Sequence, residues 1–330
     1  MSRDSERTVH MSPRLGSSEL RHLLRHRAML TLLMVAAVWI MASAASRGFG
    51  SWGHLRYLVE LAAVIGIVAA GQTLVMIGGG IDLSVGAIVT VSAVGLPLLT
   101  TAGDASGLGA VLAILAVATL IGLGNGVGVV YLRVHPMIMT LAMATFLQGA
   151  LILLAGGSAV SVHNEAVRVL GNARPGGVPA GILLWIVVAI VTVLVLRRMR
   201  FGARIYALGA NPLATALSGV NVPITTITLY GASGLMAGLG GILVLGMNGQ
   251  GYVGIGDPYV LTSIAAVVLG GTSILGGLGG YVGTIPGAVL LVTITGLITV
   301  VNASPGWRSI LFGTLILGLL LLSGREAKRR

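Results

Sequence analysis

Asp82 is the side chain with most to explain in this sequence. It lies in the string Gly79-Gly80-Ile81-Asp82-Leu83-Ser84-Val85-Gly86, between two long apolar runs. Within hydrocarbon a carboxylate costs several kcal/mol on some scales and more on others, so it survives at an interface, in a cavity or beside a partner. Two roles suit this position. Asp is a strong helix N-cap that accepts hydrogen bonds from orphan amides, and an apolar helix is expected to start just after it. Alternatively the charge serves a gate near the inner membrane face or contacts a cytosolic partner. The candidates for this gate or cap are Asp82, Ser84 and Gly86.

Other chemistries lack their residues. Cysteine is absent, which excludes disulfides, thiolate metal sites and cysteine nucleophiles. Of the six histidines, at 10, 22, 26, 54, 135 and 163, only His22 and His26 stand four apart, and the Leu-Leu-Arg between them lacks the glutamate of a helical zinc-enzyme motif. No Gly-x-Ser-x-Gly or His-Glu-x-x-His string occurs, and no Gly-x-x-x-x-Gly-Lys-Ser/Thr loop; the only lysine is Lys328. The chain is therefore expected to hydrolyse no ATP itself, to act as no enzyme, and to need no metal or cofactor.

The elements that must hold Asp82 are membrane helices. With 55% hydrophobic and 9% charged residues in 330, the chain carries too many apolar side chains for one soluble core. Apolar stretches of roughly the 17–25 residues needed to cross a bilayer are read at 29–45, 58–77, 83–100, 107–131, 136–155, 178–196, 224–245, 260–275, 281–301 and 307–322. Ten spans keep both termini on one side. If that side is the cytosol, it holds fifteen of the twenty Lys and Arg residues: those of the N-terminal arm, Arg133, the run from Arg197 to Arg204, and the C-terminal tail. Only Arg47, Arg56, Arg168, Arg174 and Arg308 fall outside, in keeping with the positive-inside rule. The net charge of +11 is thus mostly topology, and a nucleic-acid partner is not expected.

The expectation is an all-α, polytopic bundle. It has a basic cytosolic arm over 1–28, a transmembrane domain over 29–322 and a basic cytosolic tail over 323–330. The first span is expected to be retained rather than cleaved as a signal peptide, and the eighth, at 260–275, is short enough to be tilted, broken or re-entrant. Glycines 122, 124, 126 and 128 on the fourth span and 231, 234, 238, 240 and 241 on the seventh suit close helix packing. Polar side chains near the outer and middle parts of spans, Asn125, Gln148, Asn248 and Tyr252, either contact a polar solute or join helices to one another.

The loop over 197–222 is placed in the cytosol and is too structured for a simple connector. Asn211 before Pro212, then Leu213 to Leu217 and the stop at Gly219, reads as a capped helix of about two turns. Such a helix is either a docking element or an interfacial anchor.

Three strings together resemble permease subunits of the ribose/sugar type of ATP-binding-cassette (ABC) importers. The first is Gly79 to Val89. The second runs from Phe201-Gly202 through Asn211 and Ala214 to Leu217-Ser218-Gly219-Val220-Asn221-Val222. The third is Ile264 to Ser273 with Gly276-Gly277 and Gly283-Thr284, followed by Trp307-Arg308 at the start of the last apolar run. The resemblance implies a permease that pairs with a second permease subunit in the lipid of the inner (plasma) membrane. It also implies cytosolic ATPase subunits and an extracytoplasmic solute-binding protein. Asn211, Ala214, Leu217, Ser218 and Gly219 would then form the ATPase-coupling segment. The outer face would be built from loops near 46–57, 157–177, 248–258 and 302–306. The sequence departs from the family at Ala216, after Val222 and at Leu278, where basic residues are usual, which fits a heteromeric pair of permeases. The rival class is an ion-coupled secondary transporter of a small polar solute using Asp82 or Glu60, although both lie toward span ends rather than the bilayer centre. The glycine strings at 78–86 and 270–283 look alike, but both follow outward-to-inward spans and are not mates in an inverted repeat.

Overall fold

A computed structural model describes residues 17–46, 48–100, 107–162 and 165–301, together with positions 304, 306, 307, 310, 313 and 314. Twelve α-helices are found among them: α1 (Ser17–Ala45), α2 (Trp52–Ile77), α3 (Val85–Leu99), α4 (Leu108–Tyr131), α5 (Pro136–Ala155), α6 (Glu165–Asn172), α7 (Ala180–Arg198), α8 (Arg200–Ala210), α9 (Pro212–Leu217), α10 (Val222–Asn248), α11 (Pro258–Leu269) and α12 (Tyr281–Val300). The architecture is helical throughout. The one exception in the described residues is a two-residue antiparallel ladder, β1 (Val160–Ser161) against β2 (Gln250–Gly251), with Val160 opposite Gly251.

Helices α2, α4, α5, α7, α10 and α12 are each long and apolar enough to cross a membrane. Residues 29–45 of α1, α3 and α11 are shorter apolar helices. Nine of the ten expected stretches thus coincide with helices, while the tenth lies almost wholly outside the described residues, as do 1–16 and the C-terminal tail.

Helix α2 is the axis of the bundle. It is buried along nearly its whole length and packs against α7, α10, α11 and α12, whereas α4, α5 and α7 expose most of their apolar surface. Small residues make this possible. Gly66 of α2 faces the Trp185 indole of α7, leaving no room for a β-carbon. That indole donates to the Tyr281 hydroxyl of α12 at 2.8 Å, which in turn donates to the Gly66 carbonyl at 2.7 Å. Between α4 and α10 the approach is equally close, since a β-carbon at Gly126 would stand 2.6 Å from Ile227 Cα. Helices in lipid associate through such contacts, because no hydrophobic effect drives them together there.

The eighth span is not one straight helix. After α10 the chain turns back along α3. Gly251 lies against the Ala93 carbonyl, and five residues later the Gly256 amide donates to Thr90 Oγ1 at 3.1 Å, with Gly256 against the Gly86 carbonyl. From Ala93 to Gly86 is seven residues of helix, or a descent of about 10 Å. Helix α11 then adds twelve residues, about 18 Å, so loop and helix together cover about 28 Å of the bundle's depth. The expected stretch 260–275 is corrected at its end: α11 stops at Leu269 because Gly271 adopts φ +89°.

Candidate functional site

Two structures converge at one end of the bundle: the connector from α2 to α3 that carries Asp82, and the α8–α9 segment. The connector begins where α2 ends in a left-handed glycine turn. The Gly79 amide donates to the Met76 carbonyl and the Gly80 amide to the Val75 carbonyl, both at 3.0 Å, with Gly79 at φ +87°. This is the reciprocal pair of bonds that closes a helix through a glycine in the left-handed region.

Asp82 is fully buried and holds the connector to two helices. Its Oδ1 accepts from the Ser84 amide at 2.9 Å and the Ser84 hydroxyl at 2.6 Å, and its Oδ2 from the Ser233 hydroxyl of α10 at 2.8 Å. Asn125 of α4 donates through Nδ2 to Ser84 Oγ at 2.8 Å. On the far side, Thr140 of α5 accepts from the Leu83 amide at 3.0 Å. One carboxylate with its neighbours therefore fastens the connector to α3, α4, α5 and α10. Three donors directed at one buried carboxylate offset the cost of withdrawing its charge from water.

The helix-cap expectation is corrected in detail. Ser84, not Asp82, occupies the N-cap position of α3, its carbonyl accepting from the Ile88 amide at 2.9 Å. Asp82 stands two residues earlier and satisfies the amide of the cap residue itself. The third member of the set, Gly86, faces the Gly256 carbonyl, so its lack of a side chain admits the descending loop.

The docking segment has more structure than its sequence predicts. Helix α8 was not expected. It folds back on α7 because Gly202 packs on the carbonyls of Val195 and Leu196. Gly202, Ile205 and Leu208 face inward while Arg200, Ala203, Arg204 and Ala207 face outward. The expected capped helix is α9. Asn211 Oδ1 accepts from the Ala214 amide at 3.0 Å, Pro212 fills the first turn, and Gly219 at φ +79° ends the helix, its own amide donating to the Ala216 carbonyl and the Val220 amide to the Thr215 carbonyl. Leu213 and Leu217, one turn apart, are 72% and 82% exposed, and Ala214, Ser218 and Gly219 are also exposed.

Connector and segment meet at Gly209 of α8. A β-carbon there would run into the Ile77 carbonyl and stand 2.5 Å from the Gly277 amide. Those two groups are bonded to each other, Gly277 N to Ile77 O at 2.8 Å. Beside them the Tyr206 hydroxyl donates to the Gly279 carbonyl at 2.9 Å. Burial pushes the Tyr206 phenol above its ordinary value, more than the Arg197 guanidinium pulls it down, so the group keeps its proton and remains a donor. Helix α8 thus touches the end of α2 and the loop that leads into α12.

The remaining polar candidates separate. Asn125 belongs to the buried Asp82 network. Gln148 instead donates through Nε2 to Asp257 Oδ1 at 3.1 Å, at an exposed position, and Asn248 and Tyr252 are exposed. At the opposite end of α2 from Gly209, Glu60 pairs with Arg174 at 3.6 Å. Sequence reasoning missed Asp257 because 248–258 reads as an outer loop; only the contact with α3 reveals its depth.

Comparison with known proteins places this architecture among transporters. The family described as branched-chain amino acid transport system / permease component matches residues 55–320. The ribose import permease protein RbsC of Escherichia coli (strain K12) is 34% identical over 309 residues, covering 92% of this chain and 95% of that protein. The fructose import permease protein FrcC of Rhizobium meliloti is 30% identical over 309 residues, 91% of this chain and 86% of that protein. The autoinducer 2 import system permease protein LsrC of Escherichia coli (strain K12 / DH10B) is 29% identical over 308 residues, 93% and 89% respectively. No solved structure matches.

Proposed function

The chain belongs to the branched-chain amino acid transport system / permease component family, and from this premise we infer that it is the membrane channel of an ABC importer of sugars. It is a multi-pass permease subunit, it has no ATPase site of its own, and it works with a separate ATPase and a solute-binding protein. The finer reading is an inner-membrane protein of about ten spans with both termini cytoplasmic, paired with a second permease subunit in the lipid. Its cargo is a pentose, hexose or related polar solute, since similar permeases of this length are named for ribose and fructose import.

The observation that carries the mechanism is the joint at Gly209. The exposed pair Leu213 and Leu217 on α9, flanked by Asn211, Ala214, Ser218 and Gly219, offers a small apolar docking face to the ATPase. Helix α8, joined to it through the single residue Asn211, abuts the Ile77 carbonyl and the 276–280 loop. When ATP draws the ATPases together, a displacement of α9 is passed by α8 to α2 and α12 at once. The Asp82 network then carries the connector, α3 and α10 along, biasing inward-open against outward-open arrangements. Asp82 is in this scheme a structural clasp of the gate rather than a ligand to cargo. Glu60, held by Arg174, suits an ion pair better than a coupling-ion site, which favours the importer over a secondary transporter.

The test is ATP hydrolysis and uptake by the complex in lipid with its ATPase and binding protein, across a panel of pentoses and hexoses. Stimulation by one binding protein–sugar pair supports the reading. Uptake driven by an ion gradient without the ATPase refutes it.

A further inference from the structure

Asp257 sits where an unpaired charge could not face lipid. On α5, Gln148 is twelve residues from Pro136, about 18 Å along a helix of about 30 Å. Its partner Asp257 therefore lies near the middle of the bundle's depth. Thr140, four residues from Pro136, marks the level of the Asp82 connector, about 12 Å nearer the docking end. The backbone agrees, because Gly256 lies on the first turns of α3 and not beyond its far end.

Two independent constraints meet here. An ionisable side chain at mid-depth faces protein or water. Non-helical backbone at that depth is tolerated only where it is buried in protein or lines a water-filled cavity. Yet Asp257 is exposed, and the same descending loop leaves Tyr252 46% exposed. Lipid satisfies neither constraint. Gln148 uses one of its amide hydrogens on Asp257, leaving the other hydrogen and its carbonyl oxygen available to a ligand.

We propose that Asp257 and Gln148 form a polar station of the translocation pathway, at mid-depth, that hydrogen-bonds the hydroxyls of a neutral polyhydroxylated cargo. This rests on the sugar-importer reading above and names its first substrate-contacting residues. The carboxylate accepts from cargo hydroxyls, the amide both donates and accepts, and Tyr252 offers an apolar ring face higher in the same loop. The aqueous path accordingly runs along the face shared by α5, the 250–257 loop and the start of α11.

The natural absence of cysteine makes the test direct, since an introduced thiol is the only one in the chain. Asp257→Cys and, as a lipid-facing control at similar depth on α5, Phe146→Cys (70% exposed) are placed in the permease of the full complex in lipid. Each is treated with a charged, membrane-impermeant methanethiosulfonate. Cys at 257 should react at least about tenfold faster than at 146, because a charged reagent needs water, and turnover with ribose-loaded binding protein should slow the reaction. In parallel, Asp257→Leu, purified in assembled complex at normal yield, should lose at least about tenfold in kcat/KM for uptake, the loss expected for a hydrogen bond to a charged group, with Asp257→Asn intermediate. A thiol at 257 that is inert in every state overturns the proposal, as does an Asp257→Leu complex that imports normally. Failure of the wild-type complex to import ribose or any other sugar, with Cys at 257 still reactive, overturns the cargo assignment and leaves the aqueous position of Asp257 standing.

Discussion

Gly209→Ala is the sharpest perturbation of the coupling joint, because simple helix propensity predicts the wrong sign for it. In an exposed helix interior, replacing Gly by Ala stabilises by about 1 kcal/mol. At Gly209 the added methyl must enter space held by the Ile77 carbonyl and the Gly277 amide, and both are backbone groups with no rotamer to yield. Overpacking of that kind costs about 1–3 kcal/mol. If the strain breaks the Gly277–Ile77 bond, a buried amide and carbonyl lose their partners at a further cost of about 1–3 kcal/mol. Against the propensity gain, seating α8 on the connector becomes less favourable by up to about 2 kcal/mol from overpacking alone and by about 1–5 kcal/mol where the bond is lost as well. At 1.4 kcal/mol per decade, loss of that bond lowers the population of the seated joint by about fivefold or more. The assay is ATP hydrolysis and sugar uptake measured on the same proteoliposomes. Hydrolysis should continue while uptake per ATP drops, because the ATPase still engages α9 but α8 no longer moves α2 and α12 in step. The matched control is Gly149→Ala on α5, where no atom lies within 4 Å of the new β-carbon and uptake should be unchanged. Wild-type uptake per ATP in Gly209→Ala would refute the joint as the route of coupling.

At Asp82, replacement by Asn should be tolerated and by Ala should not. The Asn oxygen can still accept both Ser84 donors while its amide donates to the Ser233 hydroxyl, whereas Ala orphans three donors at about 1–3 kcal/mol each, read as loss of assembled complex in detergent. Loss of transport in both variants would instead assign a charge-dependent role. Asn211→Ala should weaken α9 by about 1 kcal/mol through its lost cap, and Leu217→Asp should abolish co-purification of the ATPase while leaving the permease folded, since Leu217 is 82% exposed. Arg174→Ala should lower the melting temperature of the purified complex by the equivalent of at most about 1 kcal/mol, because its pair with Glu60 is long and half exposed, and ATP-driven uptake should persist.

What the sequence disclosed was whatever depends on neighbours along the chain. Helix α5 spans the very residues expected, since Pro136 opens it and Gly156, at φ +59°, closes it. Helix α9 was equally legible, as both its cap and its glycine stop are local signals. At Asp82 a bond to nearby amides was legible, but the bond from the Ser233 hydroxyl was not, because that partner is 151 residues away. Helix α8 escaped notice for a related reason: its arginines read as loop, and the inward stripe of Gly202, Ile205 and Leu208 is too short to announce itself beside them. Asp257 was passed over because depth is a tertiary property. Nothing between Asn248 and Pro258 distinguishes a loop above the bundle from one that descends into it.

The two glycine strings yield their meaning only when the hydrogen bonds are compared. In the first, Gly79 and Gly80 return bonds to Met76 and Val75; in the second, Gly271 and Thr272 return bonds to Val268 and Val267, with Gly271 at φ +89° beside +87° for Gly79. The same turn therefore ends α2 and α11. Both turns lead toward α8, where Gly79 and Gly276 come together against Gly209. Two helices ended by one device at one place give a single docking segment purchase on two connectors, one opening α3 through Asp82 and the other opening α12. The likeness of the strings thus reflects a shared mechanical task at the same end of the bundle. A left-handed glycine at φ +87° or +89° accepts no other L residue without strain. Gly79→Ala and Gly271→Ala should accordingly each uncouple uptake from ATP hydrolysis as Gly209→Ala does, and loss of coupling in only one of them would assign transmission to that connector alone.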